Sequence, residues 1–219
     1  MIHVDASVTS RSNALKSREI RGVLLDLDET IHSRETAFWT WLESEARRVG
    51  TVLERDRIAE LDARGRGDKS RLLEYLGRIF DWEQSHERRM ARFRNGLAAH
   101  VRLAPGVREL LARLARQYRV GLITNGIGET QRAKLSSLQI EQLFDPIIIS
   151  GEVGFTKPDQ RIFQLGIAGW GLSAESVLFV GDDPIADIQG ARAAGLQALP
   201  IGSDGIPSIL MIEAWLDNQ

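Results

Sequence analysis

The chain has 219 residues, a formal net charge of −2 and no cysteine. A composition of 43% hydrophobic and 26% charged residues is typical of a folded globular protein and excludes a disordered chain. The small net charge gives no general attraction for nucleic acid, and the lack of cysteine excludes disulfides, thiolate metal sites and a cysteine nucleophile.

The first residues contain no apolar run typical of a signal peptide, and no segment reaches the roughly 18 apolar residues of a membrane span. We therefore predict a short mobile leader over residues 1–19 and a cytoplasmic protein. Its expected partners include neither a nucleic acid polymer nor a membrane. The sequence leaves the oligomeric state open.

Five short apolar segments predict buried strands. They are GVLLDLD, YRVGLITNG, DPIIIS, SVLFVGDD and GLQALPI. Helical patterns lie between the later ones, in PGVRELLARLARQ, GETQRAKLSSLQ, KPDQRIFQLGIAGW and PIADIQGARAAG. Because strands alternate with helices of this length, we predict an α/β fold with a Rossmann-like core, a parallel sheet covered by helices on both faces.

One connection is too long for this plan. No strand is predicted between the first apolar segment and about residue 103, and an ordinary crossover needs far fewer residues. AFWTWLESEARRVG, VLERDRIAELDARG, SRLLEYLGRIFDW and SHERRMARFRNGLAAH carry apolar residues at helical spacing. We predict an inserted helical domain over residues 34–102, with the α/β core formed by residues 20–33 and 103–219.

Polar side chains follow four of the predicted strands. In chain order they are Asp26 and Asp28, Thr124 and Asn125, Lys157, and Asp182, Asp183 and Asp187. Ligand sites in open α/β sheets lie outside the carboxyl ends of the strands. The sequence therefore predicts that these residues share one pocket.

Each of these motifs has a simpler explanation when it is taken alone. Asn125-Gly126 is typical of a two-residue hairpin, although the helical pattern after it argues against one. Lys157 could be an exposed loop residue before a proline, and Asp183 and Asp187 could serve only the N-terminus of the next helix. The coincidence at four strand ends favours a common site.

The carboxylates of this pocket predict a divalent cation. Two like charges about 4 Å apart repel by roughly 4 kcal/mol at an effective dielectric constant of about 20, so Asp26, Asp28 and Asp182 would not all stay ionised without one. Oxygen ligands without histidine or cysteine favour Mg²⁺. A lysine and a threonine hydroxyl beside them can bind phosphate, so the residues indicate a metal and phosphoryl site.

The motifs DLDET, LITNG, KP and VGDDPIAD, followed by GARAAG, resemble those of the haloacid dehalogenase superfamily over about residues 21–201. TNGIGETQRAKL and FDPIIISGEVGFTKP are further similar to the branch of N-acylneuraminate-9-phosphatase and the pyrimidine nucleotide monophosphatases. The resemblance implies a phosphohydrolase whose inserted helices form a cap over the substrate.

The resemblance also implies roles for the residues. Asp26 would attack phosphorus and become an aspartyl phosphate, and Asp28 would act as general acid and then as general base. Thr124, Asn125 and Lys157 would bind the phosphoryl group, Asp26, Asp182 and the backbone carbonyl of Asp28 would hold Mg²⁺, and Asp183 and Asp187 would support the site.

We therefore expect a Mg²⁺-dependent phosphatase for a small phosphorylated metabolite, a nucleoside monophosphate or a sugar phosphate. A phosphomutase would share every motif and stays open. The presence of Asp28 argues against a dehalogenase. The long insertion and the complete set of catalytic residue types argue against a receiver-like or non-catalytic phosphate-binding module.

Residues of the inserted helices are the candidates for substrate contacts. We name Trp39, Arg66, Lys69 and Arg71. For Trp39, packing in a hydrophobic core is the simpler explanation. The four histidines are scattered and receive no role.

Overall fold

A computed structural model describes residues 19–82, 85–202 and 209–218. The predicted leader lies outside these ranges except for Glu19. Within the described residues, none of the helices has the length and apolar character needed to cross a bilayer.

The centre of the molecule is a five-stranded parallel sheet. Its strands are β1 (Gly22–Leu25), β2 (Arg119–Thr124), β3 (Ile147–Ile149), β4 (Val177–Gly181) and β5 (Gln197–Pro200). They lie in the order β3-β2-β1-β4-β5, so the chain reverses its direction of travel across the sheet at β1. Parallel sheets of this kind bind ligands at that reversal, next to the carboxyl ends of the strands.

Helices separate the strands and follow the last of them. Before β2 come α1 (Arg34–Val49), α2 (Arg55–Asp62), α3 (Lys69–Ile79), α4 (His86–His100) and α5 (Val107–Gln117). After β2 come α6 (Gly128–Leu138), α7 (Ser150–Val153), α8 (Gln160–Ile167), α9 (Gly190–Ala193) and α10 (Ile212–Leu216).

Side chains of β1 alternate between two hydrophobic cores. Val23 and Leu25 pack on the face covered by α5, α6 and α10. Leu24 packs on the opposite face, with Phe163 of α8 and Ala191 of α9. A parallel sheet buried on both faces needs such continuous apolar strands. The predicted fold class, a parallel α/β core with helices on both faces, is confirmed.

Helices α1 to α4 enclose a hydrophobic core of their own. The rings of Trp41 and Trp82 stack with centroids 5.6 Å apart, and Phe93 meets Trp41 edge-on at the same distance. A Cβ atom at Gly96 of α4 would lie 2.1 Å from Trp41, so only glycine lets α4 approach α1 this closely. These helices lie within the predicted insertion, whose boundaries at residues 34 and 102 stay a prediction.

The two connections to these helices lie side by side. The chain passes from the core into α1 just after His32, and it returns through Leu103. His32 forms an isolated antiparallel bridge with Leu103, and it is fully buried. The chain therefore enters and leaves the helical region at one place.

The helix predicted from PIADIQGARAAG is interrupted. Residues Pro184–Gln189 form a π-helical turn, and only Gly190–Ala193 continue as α9. The carbonyl of Asp183 accepts hydrogen bonds from the N–H groups of both Asp187 (3.0 Å) and Ile188 (3.1 Å). Single π-helical turns are rare and occur often at functional sites. The sequence pattern did not reveal this turn because its apolar spacing is that of an ordinary helix.

Candidate active site

The carboxyl ends of the strands open into a cavity of about 630 Å³. All of the predicted site residues line it: Asp26, Asp28, Thr124, Asn125, Lys157, Asp182, Asp183 and Asp187. With Gln131 and Lys134 of α6 we call them the core wall. Facing them is the helical wall, which consists of Arg34, Glu35, Phe38, Trp39, Ala59, Asp62, Arg64, Gly65, Arg66, Lys69, Phe93 and Leu97.

Lys157 joins two buried carboxylates on the core wall. Its Nζ atom lies 2.6 Å from Asp26 Oδ1 and 2.6 Å from Asp187 Oδ1, and it also donates to the carbonyl of Ile123 at 3.1 Å. Asp26 is fixed in turn by its own N–H, which donates to the carbonyl of Val180 on β4. The neighbouring strands β1, β2 and β4 therefore meet at one ammonium group.

Negative charge is in excess at this point. Burial raises the pKa of Asp26 to about 8, with Lys157 opposing the rise and Asp187 adding to it. The pKa of Asp182 is raised to about 6, first by burial and then by the charge of Asp187. Burial alone would lower the pKa of Lys157, but Asp26 and Asp187 raise it above its ordinary value. A further positive charge would relieve the repulsion among the carboxylates.

Three of these carboxylates are arranged as a set of metal ligands. One oxygen each of Asp26, Asp182 and Asp187 lies within 4.8 Å of the others. Oxygen donors without nitrogen or sulfur suit a hard dication, so the residues fit Mg²⁺. Asp187, which the resemblance placed in a supporting role, belongs to this set, whereas the carboxylate of Asp28 does not.

Asp28 is held by the helix that follows β2. Lys134 Nζ lies 2.8 and 2.7 Å from its two oxygens, and Gln131 Nε2 donates to it at 3.1 Å. His32 Nε2 lies 2.9 Å from Asp28 Oδ1. Burial would raise the pKa of Asp28, but Lys134 and the hydrogen bond with His32 hold it well below its usual range. These contacts fix the carboxylate in one orientation.

Thr124 and Asn125, at the end of β2, have different surroundings. The Thr124 hydroxyl accepts a hydrogen bond from Gln131 Nε2 at 2.7 Å. Asn125 holds the backbone of Lys157, since its Nδ2 donates to the Lys157 carbonyl (3.0 Å) and its Oδ1 accepts from the Lys157 N–H (2.9 Å). In this structure the Asn125 amide therefore positions the lysine.

The loop after β4 is closed by two aspartates. Asp183 Oδ1 accepts from the N–H groups of Ile185 (2.8 Å) and Ala186 (2.9 Å), as expected of a residue at a helix N-terminus. Asp187 Oδ2 accepts from the Asp183 N–H at 3.1 Å. A Cβ atom at Gly181 would lie 2.3 Å from that same Oδ2, so glycine is needed for Asp187 to reach its position.

The helical wall is organised by Asp62. Arg34 donates to its two oxygens at 2.8 and 2.6 Å, and Lys69 Nζ lies 3.5 Å from one of them. The Gly65 N–H donates to Asp62 at 2.9 Å. Arg66 reaches across the cavity and pairs with Asp183 of the core wall. The two walls are thus in direct contact.

A family model described as haloacid dehalogenase-like hydrolase matches residues 23–201. The chain belongs to this family. The predicted resemblance is confirmed, and the cavity just described is the candidate active site of this hydrolase.

Curated relatives of the hydrolase include phosphatases with different substrates. A phosphoserine phosphatase of Thermus thermophilus is 39% identical over 44% of this chain and 39% of the relative. The human N-acylneuraminate-9-phosphatase is 32% identical over 54% of each chain. A pyrimidine 5′-nucleotidase of Escherichia coli also matches, and both relatives belong to the branch that the sequence motifs predicted. The chain spans about half the length of the curated relatives it matches.

A solved structure covers more of the hydrolase. The HAD-hydrolase YfnB of Bacillus subtilis, solved bound to magnesium, aligns with 91% of this chain and 99% of its own, with a TM-score of 0.73. The sequences are 23% identical, so this likeness shows the fold.

The residues near the site of this hydrolase that were missed from the sequence include His32, Arg34, Asp62, Gln131 and Lys134. Gln131 and Lys134 are three positions apart in α6, just after Thr124 and Asn125, so helical spacing alone could have placed both on the face toward the strand end. His32 and Arg34 carried no such signal. Of the candidates among the inserted helices, Trp39, Arg66 and Lys69 line the cavity, whereas Arg71 is exposed and does not.

Proposed function

We propose that this hydrolase is a Mg²⁺-dependent phosphatase that releases phosphate from a small phosphomonoester through an aspartyl phosphate on Asp26. The observation that carries the proposal is the buried contact of Lys157 with Asp26 and Asp187, beside Asp182. It combines a carboxylate nucleophile, a cation for the phosphoryl oxygens and an acidic set of metal ligands.

In the first step an oxygen of Asp26 forms a bond to phosphorus, and the bond from phosphorus to the leaving alcohol oxygen breaks. Water then attacks the aspartyl phosphate, and phosphate leaves with Asp26 restored. The low pKa of Asp28, held by Lys134 against the effect of burial, leaves an unprotonated carboxylate to accept a proton from this water, although it also makes that carboxylate a weak base. In the first step the same carboxyl would have to bring a proton to the leaving oxygen.

Lys157 and Thr124 would bind the transferring phosphoryl group, and Asn125 and Asp183 would keep the loops in place. Asp26, Asp182 and Asp187 would hold Mg²⁺, together with the Asp28 carbonyl that the family resemblance implies. The bound ion would offset the excess of carboxylate charge and draw electron density from a phosphoryl oxygen.

The substrate would be a small phosphorylated metabolite, as the names of the matched phosphatases suggest. The sequence alone led us to expect a nucleoside monophosphate or a sugar phosphate, a class that the cavity lining revises below. The cytoplasmic location stays a prediction from composition.

The test is phosphate release from p-nitrophenyl phosphate with Mg²⁺ and with EDTA, for the natural chain and for Asp26→Asn. We expect EDTA to abolish turnover and Asp26→Asn to lower kcat by at least roughly 10³-fold, since the nucleophile is lost. Asp56→Asn, at an exposed position of α2, is the matched control and should keep full activity.

Turnover that survives both EDTA and Asp26→Asn would refute the mechanism. A phosphomutase would instead convert a sugar monophosphate into its isomer. Isomer formation is therefore measured beside free phosphate, and isomer without phosphate would replace the phosphatase proposal.

A further inference from the structure

The two walls of the cavity differ in charge. The core wall carries most of the carboxylates. The helical wall carries four cations, Arg34, Arg64, Arg66 and Lys69, against two carboxylates, Glu35 and Asp62. Substrate groups that extend from the phosphate toward α1 and α3 therefore meet positive charge.

Two cations of the helical wall, the buried Arg34 and the half-buried Lys69, share one carboxylate. The side chains of Arg34, Lys69 and Asp62 are 9%, 20% and 5% exposed. Arg34 forms a bidentate pair with Asp62. The contact of Lys69 with the same carboxylate is longer, at 3.5 Å, and involves one oxygen. One carboxylate balances one of the two positive charges, so about one unit remains. Asp28 and Glu29 also attract Arg34, but more weakly than Asp62 does.

Lys134 of the core wall lies near these two cations. Burial lowers the pKa of Lys69; Asp62 opposes this effect, and the charges of Arg34 and Lys134 add to it. Cations that repel one another at the edge of a cavity are stabilised by an anion that enters it.

Neutral hydrogen-bonding groups are scarce on the helical wall. Apart from the Trp39 indole, its uncharged lining side chains among the described residues are Phe38, Ala59, Phe93 and Leu97. Lys69 Nζ lies 4.8 Å from the centre of the Phe93 ring, so apolar surface flanks the ammonium on one side. The wall therefore consists mainly of charged and apolar groups, and its cations suit a compact anion.

The segment that carries Arg64 and Arg66 is held in an unusual conformation. Ala63, Arg64 and Gly65 have φ angles of 44°, 55° and 85°. Non-glycine residues keep such angles only where their surroundings impose them. The hydrogen bond from the Gly65 N–H to Asp62 supplies that restraint. The group that anchors Arg34 and Lys69 thus also shapes this side of the cavity.

We propose that the leaving alcohol of the substrate carries a carboxylate near its ester oxygen, and that Lys69, with Arg34 beside it, binds this carboxylate. The inference rests on the proposed function, because Asp28, next to Lys134, defines the leaving-group side. A carboxylate fits better than a second phosphate, since about one positive charge is left over. The substrate class is accordingly a short phosphorylated hydroxy acid.

The experiment compares esters that differ only in this group. One pair is 3-phosphoglycerate and glycerol 3-phosphate, and the other is O-phosphoserine and O-phosphoethanolamine. With Mg²⁺ we expect kcat/KM of the natural chain to favour the carboxylate in at least one pair by about tenfold or more, as for a charged hydrogen bond in a part-buried site.

Variants of Lys69 assign the preference to the helical wall. Lys69→Met should lower the ratio of kcat/KM within the favoured pair by about tenfold, mainly through KM of the acid, and Lys69→Arg should restore part of it. Arg71→Met removes a charge from the same helix at an exposed position outside the cavity, and it should leave the ratio unchanged.

The outcomes separate the two proposals. Equal rates within both pairs, with p-nitrophenyl phosphate still hydrolysed, would overturn this inference and leave the phosphatase standing. No phosphate from any ester would overturn both. If Lys69→Met does not fold, the ratio of kcat/KM within each pair of esters, measured on the natural chain, decides alone whether the carboxylate is preferred.

Discussion

The core wall and the helical wall face the same cavity, but they are built in opposite ways. The core wall places carboxylates at strand ends around Lys157, in excess over the positive charge. The helical wall places Arg34 and Lys69 around the single carboxylate of Asp62. The first arrangement suits a metal ion and a phosphoryl group, and the second suits an anion on the rest of the substrate.

The positions of the two sets of residues are fixed by different elements of the structure. Apart from Gln131 and Lys134 of α6, the residues of the core wall lie at strand ends or in the connections that follow them, so the sheet largely fixes their positions. Residues of the helical wall come from separate helices and depend on how those helices pack. Changes in the two walls should therefore have different consequences, and the following variants test that expectation.

The largest effect is expected from Arg34→Met. This change leaves Asp62 as a buried carboxylate without its bidentate partner, so the free energy of unfolding should fall by about 3–5 kcal/mol. Urea denaturation followed by tryptophan fluorescence measures it, because Trp41 and Trp82 lie in the core of the helical region.

The control for Arg34→Met is Arg57→Met. Arg57 pairs with Glu60 on the surface of α2, where the two side chains are 43% and 70% exposed. The expected loss there is under about 1 kcal/mol. Equal losses for the two variants would show that the helical wall is not organised by Asp62.

A smaller effect is expected from Gly181→Ala on the core wall. The new methyl group would lie 2.3 Å from Asp187 Oδ2 and push that carboxylate away from Lys157 and the proposed metal site. We expect kcat/KM to fall by about 10²-fold for every ester, because small displacements in a site have effects of this size. A titration of activity with Mg²⁺ should also shift to higher concentration.

Gly169→Ala is the matched control for Gly181→Ala. A Cβ atom at Gly169 meets nothing within 4 Å, so this variant should keep the activity of the natural chain. Full activity of Gly181→Ala would mean that the position of Asp187 does not matter for the reaction.

The smallest effect is expected from Lys134→Met. Asp28 would lose two contacts with the ammonium but keep Gln131 and His32, so its orientation is only loosened. We expect kcat to fall by about tenfold, less than the roughly 10²-fold that a general acid or base itself contributes, with KM little changed.

Arg132→Met serves as the control for Lys134→Met. Arg132 lies on the same helix and pairs with Glu152 at a more exposed place, with side chains 42% and 36% exposed. Its steady-state kinetics should match those of the natural chain. A KM effect without a kcat effect at Lys134 would assign this lysine to substrate binding instead of to Asp28.

The sheet, its flanking helices and all the strand-end residues of the cavity could be predicted from the sequence. Asp26, Thr124 and Asp182 stand directly at the ends of strands, where an apolar run gives way to polar residues. A local pattern was enough there, because parallel strands bring their carboxyl ends to one edge of the sheet whatever the conformation of the loops.

The contacts of the helical wall, and the contact of Lys134 with Asp28 on the core wall, could not be predicted in this way. Arg34 and Asp62 are 28 positions apart, and Lys134 and Asp28 are 106 apart. Charges at such separations meet only through tertiary packing, which no local spacing reports. The π-helical turn before α9 escaped for a related reason, since Asp183 and Asp187 stabilise it through hydrogen bonds that apolar spacing does not encode.

The bridge between His32 and Leu103 holds together the two chain segments that lead into and out of the helical region. A different set of helices inserted at that place would leave the strand order β3-β2-β1-β4-β5 unchanged. The helical wall, and with it the proposed preference for the leaving group, is therefore exchangeable as one unit.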